Sequence, residues 1–434
     1  MGNTLRSSLG SPAEVNNELI NYLLVIDIKR KTLKNGLRVV VHEDPLAPIA
    51  TFNMLYRVGS RNESPERTGF AHLFEHLMFG GSKHIPDFDD QMQRVGGDSN
   101  AFTNTDFTNY YISLPADNIE TAFWLDSDRL LCPAFSQEAL DVQKKVVVEE
   151  FRQRYMNKPY GNYQHLFRDL FYKVHPYRWP TIGLKVEHIL EASLPEVEAF
   201  FYAHYVPRNA VISIVGNVQA ECMFDYAEKW FGEIDRDAPE VTPPAEPEQK
   251  EPRLLVYEAD VPATRVSVAF HSCCRSDPEF HKGDLLTDIL ADGASSRLIQ
   301  RLVKDKQTCT DANAYVIGSL DPGALVLTAT VAEGVDPQTV IDQLWDEAED
   351  IMNAEPSEYE IRKARNRQEA IYVVNQTSAS SLAQLLATYE MYGDANMIYT
   401  DYLAYDGISA ADISAYARKV FTRQNSSTLI YRAK

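Results

Sequence analysis

Cysteine pairs that could form a disulfide framework are missing from the sequence. The cysteines are odd in number, and no two of them are spaced as a CxxC pair. A disulfide framework or a zinc site built on thiolates is therefore not expected. Reduced cysteines suit the cytoplasm, which is the expected compartment; the periplasm is the alternative if a signal has been removed. The cysteines are Cys132, Cys222, Cys273, Cys274 and Cys309.

Long apolar runs and an excess of basic residues are also absent. No stretch of about 18 uninterrupted apolar residues occurs, so the sequence predicts no membrane span. Residues 1–20 lack a basic region followed by an apolar one, and so do not resemble a secretory signal. The net charge of -20 leaves no basic surface to neutralise phosphates. Nucleic acid is therefore not expected as a partner.

A length of 434 residues predicts two or three domains. Proline and carboxylate residues crowd residues 237–252, and few large apolar residues accompany them, so this segment is predicted to be an exposed linker. The sequence thus predicts a flexible tail over 1–25, a first domain over 26–236 and a second domain over 253–434. Strands and helices alternate in long runs within the first domain, with helices near 67–79 and 136–155, which favours an α+β fold.

The second half of the chain repeats the first weakly. An amphipathic helix, a turn containing asparagine and a strand end the first domain, and the same series ends the chain. Four residue pairs in these two segments are each 216 residues apart. The repeat predicts two similar α/β-sandwich domains in tandem, each with a mostly antiparallel sheet. The pairs are Val197 with Ile413, Phe200 with Tyr416, Tyr205 with Phe421 and Asn209 with Asn425.

The segment TGFAHLFEHLMFGG holds the residues that point most directly to chemistry. His72 and His76 are four residues apart, so on a helix both imidazoles face the same side and can bind one metal ion. Glu75 lies beside them without taking a ligand position. A catalytic zinc ion uses three protein ligands, and a nearby carboxylate can take the proton of the attacking water. This HxxEH order is the reverse of HExxH and is typical of inverzincins.

A third ligand has to come from another segment. The predicted helix at 136–155 offers Glu149 and Glu150. Its apolar stripe contains Leu140, Val147 and Phe151; Glu150 flanks that stripe, whereas Glu149 points nearly opposite, toward solvent. A ligand that faces an interior cleft is therefore expected to be Glu150, and Glu149 is expected to be a solvated surface carboxylate.

The order of several motifs resembles a known family. HLFEH, GGDSNAFTNTDFTNYY, VVVEEFRQR, HPYRWPTIG and YVPRNAVISIVG follow one another as in the pitrilysin, insulinase and mitochondrial processing peptidase family, most like its bacterial members of half length. The resemblance covers residues 33–432 and implies one zinc ion per chain, with Glu150 as the third ligand. It also implies that a peptide substrate adds to an edge strand at Asn100, Ala101 and Phe102.

Two departures from this family affect the expected partner. A second glutamate that often precedes the metal glutamate by seven residues is Gln143 here. An arginine and tyrosine pair that helps active relatives bind the substrate is replaced by Val303 and Thr310. The resemblance also implies that this chain is half of a clamshell of four domains. A homologous half-length subunit that carries the Arg/Tyr pair is therefore the expected partner, in a heterodimer; a homodimer with another oxyanion stabiliser is the alternative.

The sequence thus predicts a zinc metalloendopeptidase subunit that hydrolyses peptides or unfolded segments, with Glu75 as the general base and His72, His76 and Glu150 as zinc ligands. Two alternatives stay open. One is a non-catalytic scaffold subunit of the same fold, and the other is a specific peptidase that removes presequences.

Overall fold

Six strands in the first half of the chain form one sheet in the computed structural model, which describes residues 26–237 and 242–434. The spatial order is β1-β2-β6-β3-β5-β4; β2 and β6 pair in parallel, and all other neighbours are antiparallel. Gly36 has a φ of 88° in the turn between the first two strands, a left-handed conformation that glycine adopts without strain. The strands are β1 (Lys29–Thr32), β2 (Arg38–Glu43), β3 (Ile49–Tyr56), β4 (Asp98–Thr103), β5 (Thr108–Pro115) and β6 (Ala210–Gly216).

The described residues of the first half also form eight α-helices. The helix expected near 136–155 is α-helical only to Phe151 and continues as a π turn over Arg152–Met156, where the Asn157 N–H donates to the Arg152 carbonyl. The apolar stripe expected on this helix is confirmed, since Leu140, Val147 and Phe151 are buried. The helices are α1 (Phe70–Leu77), α2 (Phe88–Arg94), α3 (Glu120–Leu131), α4 (Gln137–Phe151), α5 (Tyr163–Phe171), α6 (Val186–Leu190), α7 (Leu194–His204) and α8 (Ala220–Phe231).

The second half forms a five-stranded sheet in the order β7-β11-β8-β10-β9, with its own helices. Only the β7–β11 pair of this sheet is parallel. The strands are β7 (Arg253–Ala259), β8 (Arg265–His271), β9 (Cys309–Val316), β10 (Ala324–Val331) and β11 (Ser426–Ala433). The helices are α9 (Phe280–Ala291), α10 (Pro337–Asn353), α11 (Glu358–Gln376), α12 (Ala379–Tyr392), α13 (Met397–Ala404) and α14 (Ala410–Val420).

Matching hydrogen bonds support the internal repeat. The amide of Asn209 donates to the carbonyls of His204 and Arg57, and the amide of Asn425 donates to those of Val420 and His271. Each asparagine therefore ties the end of a helix, α7 or α14, to the end of a strand, β3 or β8. The predicted α+β class with two similar domains is confirmed.

Each half covers the sheet of the other half with one helix. Helix α5, from the first half, packs Tyr163, Phe167 and Phe171 against the second sheet. Helix α12, from the second half, packs Leu382 and Leu386 against the first sheet. The two helices begin 216 residues apart, which is the interval of the repeat. The halves are therefore interlocked, because each needs the other half to bury one face of its sheet.

The predicted domain boundaries stay predictions. The first sheet ends before residues 237–252 and the second begins after them, as the linker assignment requires. The predicted tail over 1–25 lies outside the described residues. In the two described stretches, no helix combines the length and apolar character needed to cross a membrane.

Candidate active site

Helix α1 carries His72, Glu75 and His76 along the edge of the hydrophobic core of the first half. Its apolar residues, among them Leu73, Phe74 and Leu77, are buried against the sheet and α7. At its start the carboxylate of Glu63 is almost fully buried and accepts from the N–H groups of Gly69 and Ala71, both at 2.9 Å. Free N–H groups at a helix start attract a negative charge. Burial raises the pKa of Glu63 to about 8, and these two N–H groups act in the opposite direction.

Helix α4 brings Glu150 opposite the two histidines. Oε2 of Glu150 lies 3.3 Å from Nε2 of His76 and 3.7 Å from Nε2 of His72. One ligand atom from each of the three residues lies within 4.8 Å of the other two. Glu149 is exposed, as the position of the apolar stripe predicts.

The three side chains fit a zinc ion in both chemistry and spacing. Zinc bonds of about 2.0–2.2 Å to nitrogen and oxygen in a tetrahedral site separate the ligand atoms by roughly 3.3–3.6 Å. Of the two separations between Glu150 and the imidazoles, that of 3.3 Å to His76 lies within this range and that of 3.7 Å to His72 lies just above it. Burial lowers the pKa of His72 to about 4, which keeps its imidazole neutral and able to bind a metal. The hydrogen bond with His76 lowers the pKa of Glu150, which favours its carboxylate form.

Glu75 lies next to the three potential ligands but is held by a different residue. The Thr103 hydroxyl, on β4, donates to Oε2 of Glu75 at 2.5 Å. Burial raises the pKa of Glu75, and the Thr103 hydrogen bond acts in the opposite direction. A carboxylate with a raised pKa, beside three potential zinc ligands and facing a cleft, has the properties of a general base.

These residues open into a cleft of about 530 Å³. Strand β4, at the edge of the first sheet, forms one wall, and the π turn after α4 forms another. The three residues expected to bind substrate, Asn100, Ala101 and Phe102, line this cleft together with Thr103. The lining residues are His72, Glu75, His76, Asn100, Ala101, Phe102, Thr103, Glu150, Arg154, Tyr155, Thr181 and Ile182.

The backbone of β4 offers hydrogen-bonding groups on its free side. Asn104 N–H donates to the Phe107 carbonyl at the start of the β4–β5 hairpin, and bonded and non-bonded pairs alternate from there. Phe102 therefore bonds to β5, whereas Ala101 and Thr103 direct their backbone groups toward the open edge. The Ala101 N–H is occupied by the side chain of its neighbour, since it donates to Oδ1 of Asn100 at 2.8 Å.

Several residues of the site had no predicted role, although some lie within the motifs that carry the family resemblance. Thr103 belongs to GGDSNAFTNTDFTNYY, but its contact with Glu75 joins residues 28 positions apart. Arg154 ends the motif VVVEEFRQR and follows Glu150 at the i,i+4 spacing of a helical ion pair, which is the signal for this contact. Glu63, Tyr155, Thr181 and Ile182 were also missed. Thr181 and Ile182 belong to the motif HPYRWPTIG, whereas Glu63 lies six residues before the N-cap Gly69, outside the positions at which a capping residue is recognised.

The two residues that replace the Arg/Tyr pair of active relatives, Val303 and Thr310, lie in the second half of the chain. Val303 belongs to a π turn over Ile299–Asp305 and packs partly against the second core. Thr310 is exposed on β9, the edge strand of the second sheet. Neither residue is among those that line the cleft beside His72.

Two family models match this chain, which has two interlocked α+β domains and a His-His-Glu cluster. The model described as insulinase (peptidase family M16) matches residues 38–176, and the peptidase M16 inactive domain matches residues 191–368. The two matches together cover well over half of the chain. The chain belongs to peptidase family M16, the insulinase family.

Individual relatives agree with this assignment. The chain is 29% identical over 413 residues to the zinc protease PqqE of Helicobacter pylori, covering 92% of each chain. The crystal structure of a protease from Helicobacter pylori matches with a TM-score of 0.88 and 27% identity, covering 94% of this chain and 99% of that one. The periplasmic protease PqqL of Escherichia coli shares the fold, with a TM-score of 0.78 and 17% identity; the match covers 93% of this chain and 47% of PqqL.

Proposed function

We propose that this chain is a zinc-dependent endopeptidase subunit that hydrolyses peptides or unfolded polypeptide segments. One observation carries the proposal: Nε2 of His72, Nε2 of His76 and an oxygen of Glu150 converge at zinc spacing in a cleft that also holds Glu75. The names of the relatives, which are zinc proteases, support the same metal and the same class of reaction.

In this proposal the three ligands hold one zinc ion, which supplies Lewis-acid polarisation of the scissile carbonyl and activation of water. Glu75 takes the proton of the attacking water and passes it to the nitrogen of the leaving amine. Thr103 keeps one oxygen of Glu75 fixed, which directs the carboxylate toward the cleft. The low polarity around the partly buried Glu75 raises its affinity for the proton that it must carry.

The substrate is proposed to bind as an additional strand at the free edge of β4. The outward backbone groups of Ala101 and Thr103 would pair with the peptide, and Asn100 would release the Ala101 N–H. Recognition through backbone groups tolerates many sequences, which suits peptides and unfolded segments in general. It also requires an extended substrate, which a folded protein does not present.

We propose a homologous half-length subunit with an Arg/Tyr pair as the partner, because Val303 and Thr310 replace that pair here. A homodimer is the alternative.

We propose the cytoplasm as the compartment, with the periplasm as the alternative. The five cysteines are free, which suits a reducing environment.

One alternative function has an observation of its own. A scaffold subunit without activity would need neither the Arg/Tyr pair nor turnover, and the match of residues 191–368 to a domain described as inactive agrees with it. A peptidase that removes presequences is the other alternative, and a cleavage-site profile would separate it from general peptide hydrolysis.

Glu75→Gln tests the proposed function. The variant keeps the size of the side chain and all three ligands, so it should bind zinc like the wild type. Its rate of peptide cleavage should fall by about 10²–10⁴-fold, because the general base is lost. The assay would measure zinc content and cleavage of an unfolded, fluorescently labelled peptide. Cleavage at the wild-type rate would refute the role of Glu75. A wild type that binds zinc but cleaves no peptide, even when mixed with a half-length homologue that carries the Arg/Tyr pair, would favour the scaffold.

A further inference from the structure

The two oxygens of the Glu150 carboxylate face different partners. Oε2 faces the Nε2 atoms of His72 and His76, and Oε1 accepts from the Arg154 guanidinium at 2.7 Å. The Glu150 side chain is 17% exposed, whereas that of Arg154 is 67% exposed. A largely solvated guanidinium therefore reaches into the cleft and contacts the oxygen that is turned away from the histidines.

The local backbone places Arg154 there. Helix α4 ends at Phe151, directly after Glu150, and the π turn over Arg152–Met156 follows without a break. Single π turns within or beside helices are frequent at functional sites. Arg154 is also the single arginine or lysine among the described residues that line the cleft.

We propose that Arg154 is a positioning residue that fixes the Glu150 carboxylate with one oxygen toward the two histidines, and so increases the affinity of the site for zinc. This inference rests on the proposed function, because it requires zinc to bind at His72, His76 and Glu150. It adds a residue that neither the HxxEH motif nor the choice between Glu149 and Glu150 pointed to.

Fixing the carboxylate should strengthen zinc binding despite the positive charge of Arg154. A glutamate side chain has several rotamers, and those that turn both oxygens away from the histidines contribute nothing to binding. The charge-assisted hydrogen bond at Oε1 selects one orientation before the metal arrives. The carboxylate lies between the guanidinium and the position that faces the histidines, and solvent screens the exposed guanidinium, so its repulsion of zinc is weak.

The same turn offers a matched control. Arg152 forms an ion pair with Glu149 at 3.6 Å, and both side chains are more than half exposed. This pair has the same residue types and lies in the same segment, but neither residue lines the cleft. Arg152→Ala therefore removes a comparable surface ion pair without changing the contacts of Glu150.

The experiment measures the dissociation constant for zinc by competition with a chelating indicator, on the full chain stripped of metal and reloaded. Arg154→Ala should raise this constant by about 10- to 100-fold, as is common when a residue that orients a metal ligand is lost. Arg154→Lys should recover part of the affinity, because its ammonium group can reach Oε1 without the planar fork. Arg152→Ala should bind zinc like the wild type, and thermal melting would establish that all variants are folded.

An Arg154→Ala variant that binds zinc as tightly as the wild type, or more tightly, overturns the inference and leaves the proposed function intact. An equal loss of affinity in Arg152→Ala overturns it as well, because the effect would then reflect general surface charge. A wild-type chain that binds no zinc refutes the zinc site itself, and the role of Arg154 with it.

Discussion

At the scale of single residues, Glu75 is subject to two opposing influences. Burial beside the apolar residues of α1 raises its pKa, and the hydroxyl of Thr103 lowers it by donating to one oxygen. Thr103 also limits the orientations of the carboxylate. We therefore expect this hydroxyl to matter for the rate of the reaction more than for the metal.

Thr103→Val should keep the shape of β4 and remove only the hydroxyl. The variant should contain as much zinc as the wild type, but its kcat should fall by about tenfold, because a general base that is no longer oriented loses part of its advantage. Steady-state kinetics with a labelled peptide, together with elemental analysis, would measure both quantities. Loss of zinc along with activity would mean that Thr103 supports the metal site instead.

At the scale of secondary-structure elements, local patterns predicted much of the site. The spacing of His72 and His76 requires only a helix, and the apolar stripe of α4 separates Glu150 from Glu149 without knowledge of the fold. The contact of Thr103 could not be predicted in the same way, because it depends on how β4 lies against α1. The contact of Arg154 with Glu150 has the i,i+4 spacing of a helical ion pair, but the π turn that carries Arg154 has no distinct sequence pattern.

The sequence also did not predict that α5 and α12 would each cover the sheet of the other half, and the reason is similar. Helix α5 has an ordinary amphipathic sequence, whereas α12 is only weakly amphipathic, and neither pattern identifies the sheet that the apolar residues will cover. The repeat at 216 residues predicted similar domains, but the reciprocal packing depends on contacts between distant parts of the chain, such as the hydrogen bond between the hydroxyls of Tyr163 and Ser267.

Two proline substitutions in strand β4 distinguish the loss of a backbone group at its free edge from the loss of a hydrogen bond within the sheet. Ala101→Pro removes an N–H that points away from β5, so the sheet should remain intact while KM for a peptide rises by about tenfold or more. Phe102→Pro removes an N–H that bonds to β5, and should lower the melting temperature. Kinetics and thermal melting of both variants would be compared. Unchanged KM in a folded Ala101→Pro variant would contradict strand addition at β4.

At the scale of the whole molecule, the interlocked halves depend on packing that acid should weaken. The ring of His271, on β8, stacks on Phe171 of α5 with 4.0 Å between ring centroids. Burial lowers the pKa of His271 to about 4. Between this value and the usual pKa of about 6.5, the unfolded chain binds a proton that the folded chain does not, so the free energy of unfolding falls as the pH falls.

His271→Phe should keep the stacking and remove the titrating group. Between pH 6.5 and pH 4 the wild type should lose up to about 3 kcal/mol of stability through this residue, and the variant should lose less. Urea unfolding at several pH values in this window would give the two slopes. Equal slopes for the two proteins would mean that His271 does not contribute to the acid sensitivity.

The central claim is that this single chain assembles a three-ligand zinc site. Zinc per chain in the protein purified alone tests it most directly, with Glu150→Gln and Glu149→Gln as a matched pair of adjacent glutamates. The wild type and Glu149→Gln should contain close to one zinc ion per chain, and Glu150→Gln should lose most of it. A wild type that contains no zinc, and takes up none when zinc is added, would contradict the site and favour the scaffold alternative. Equal zinc contents in the two variants would do the same.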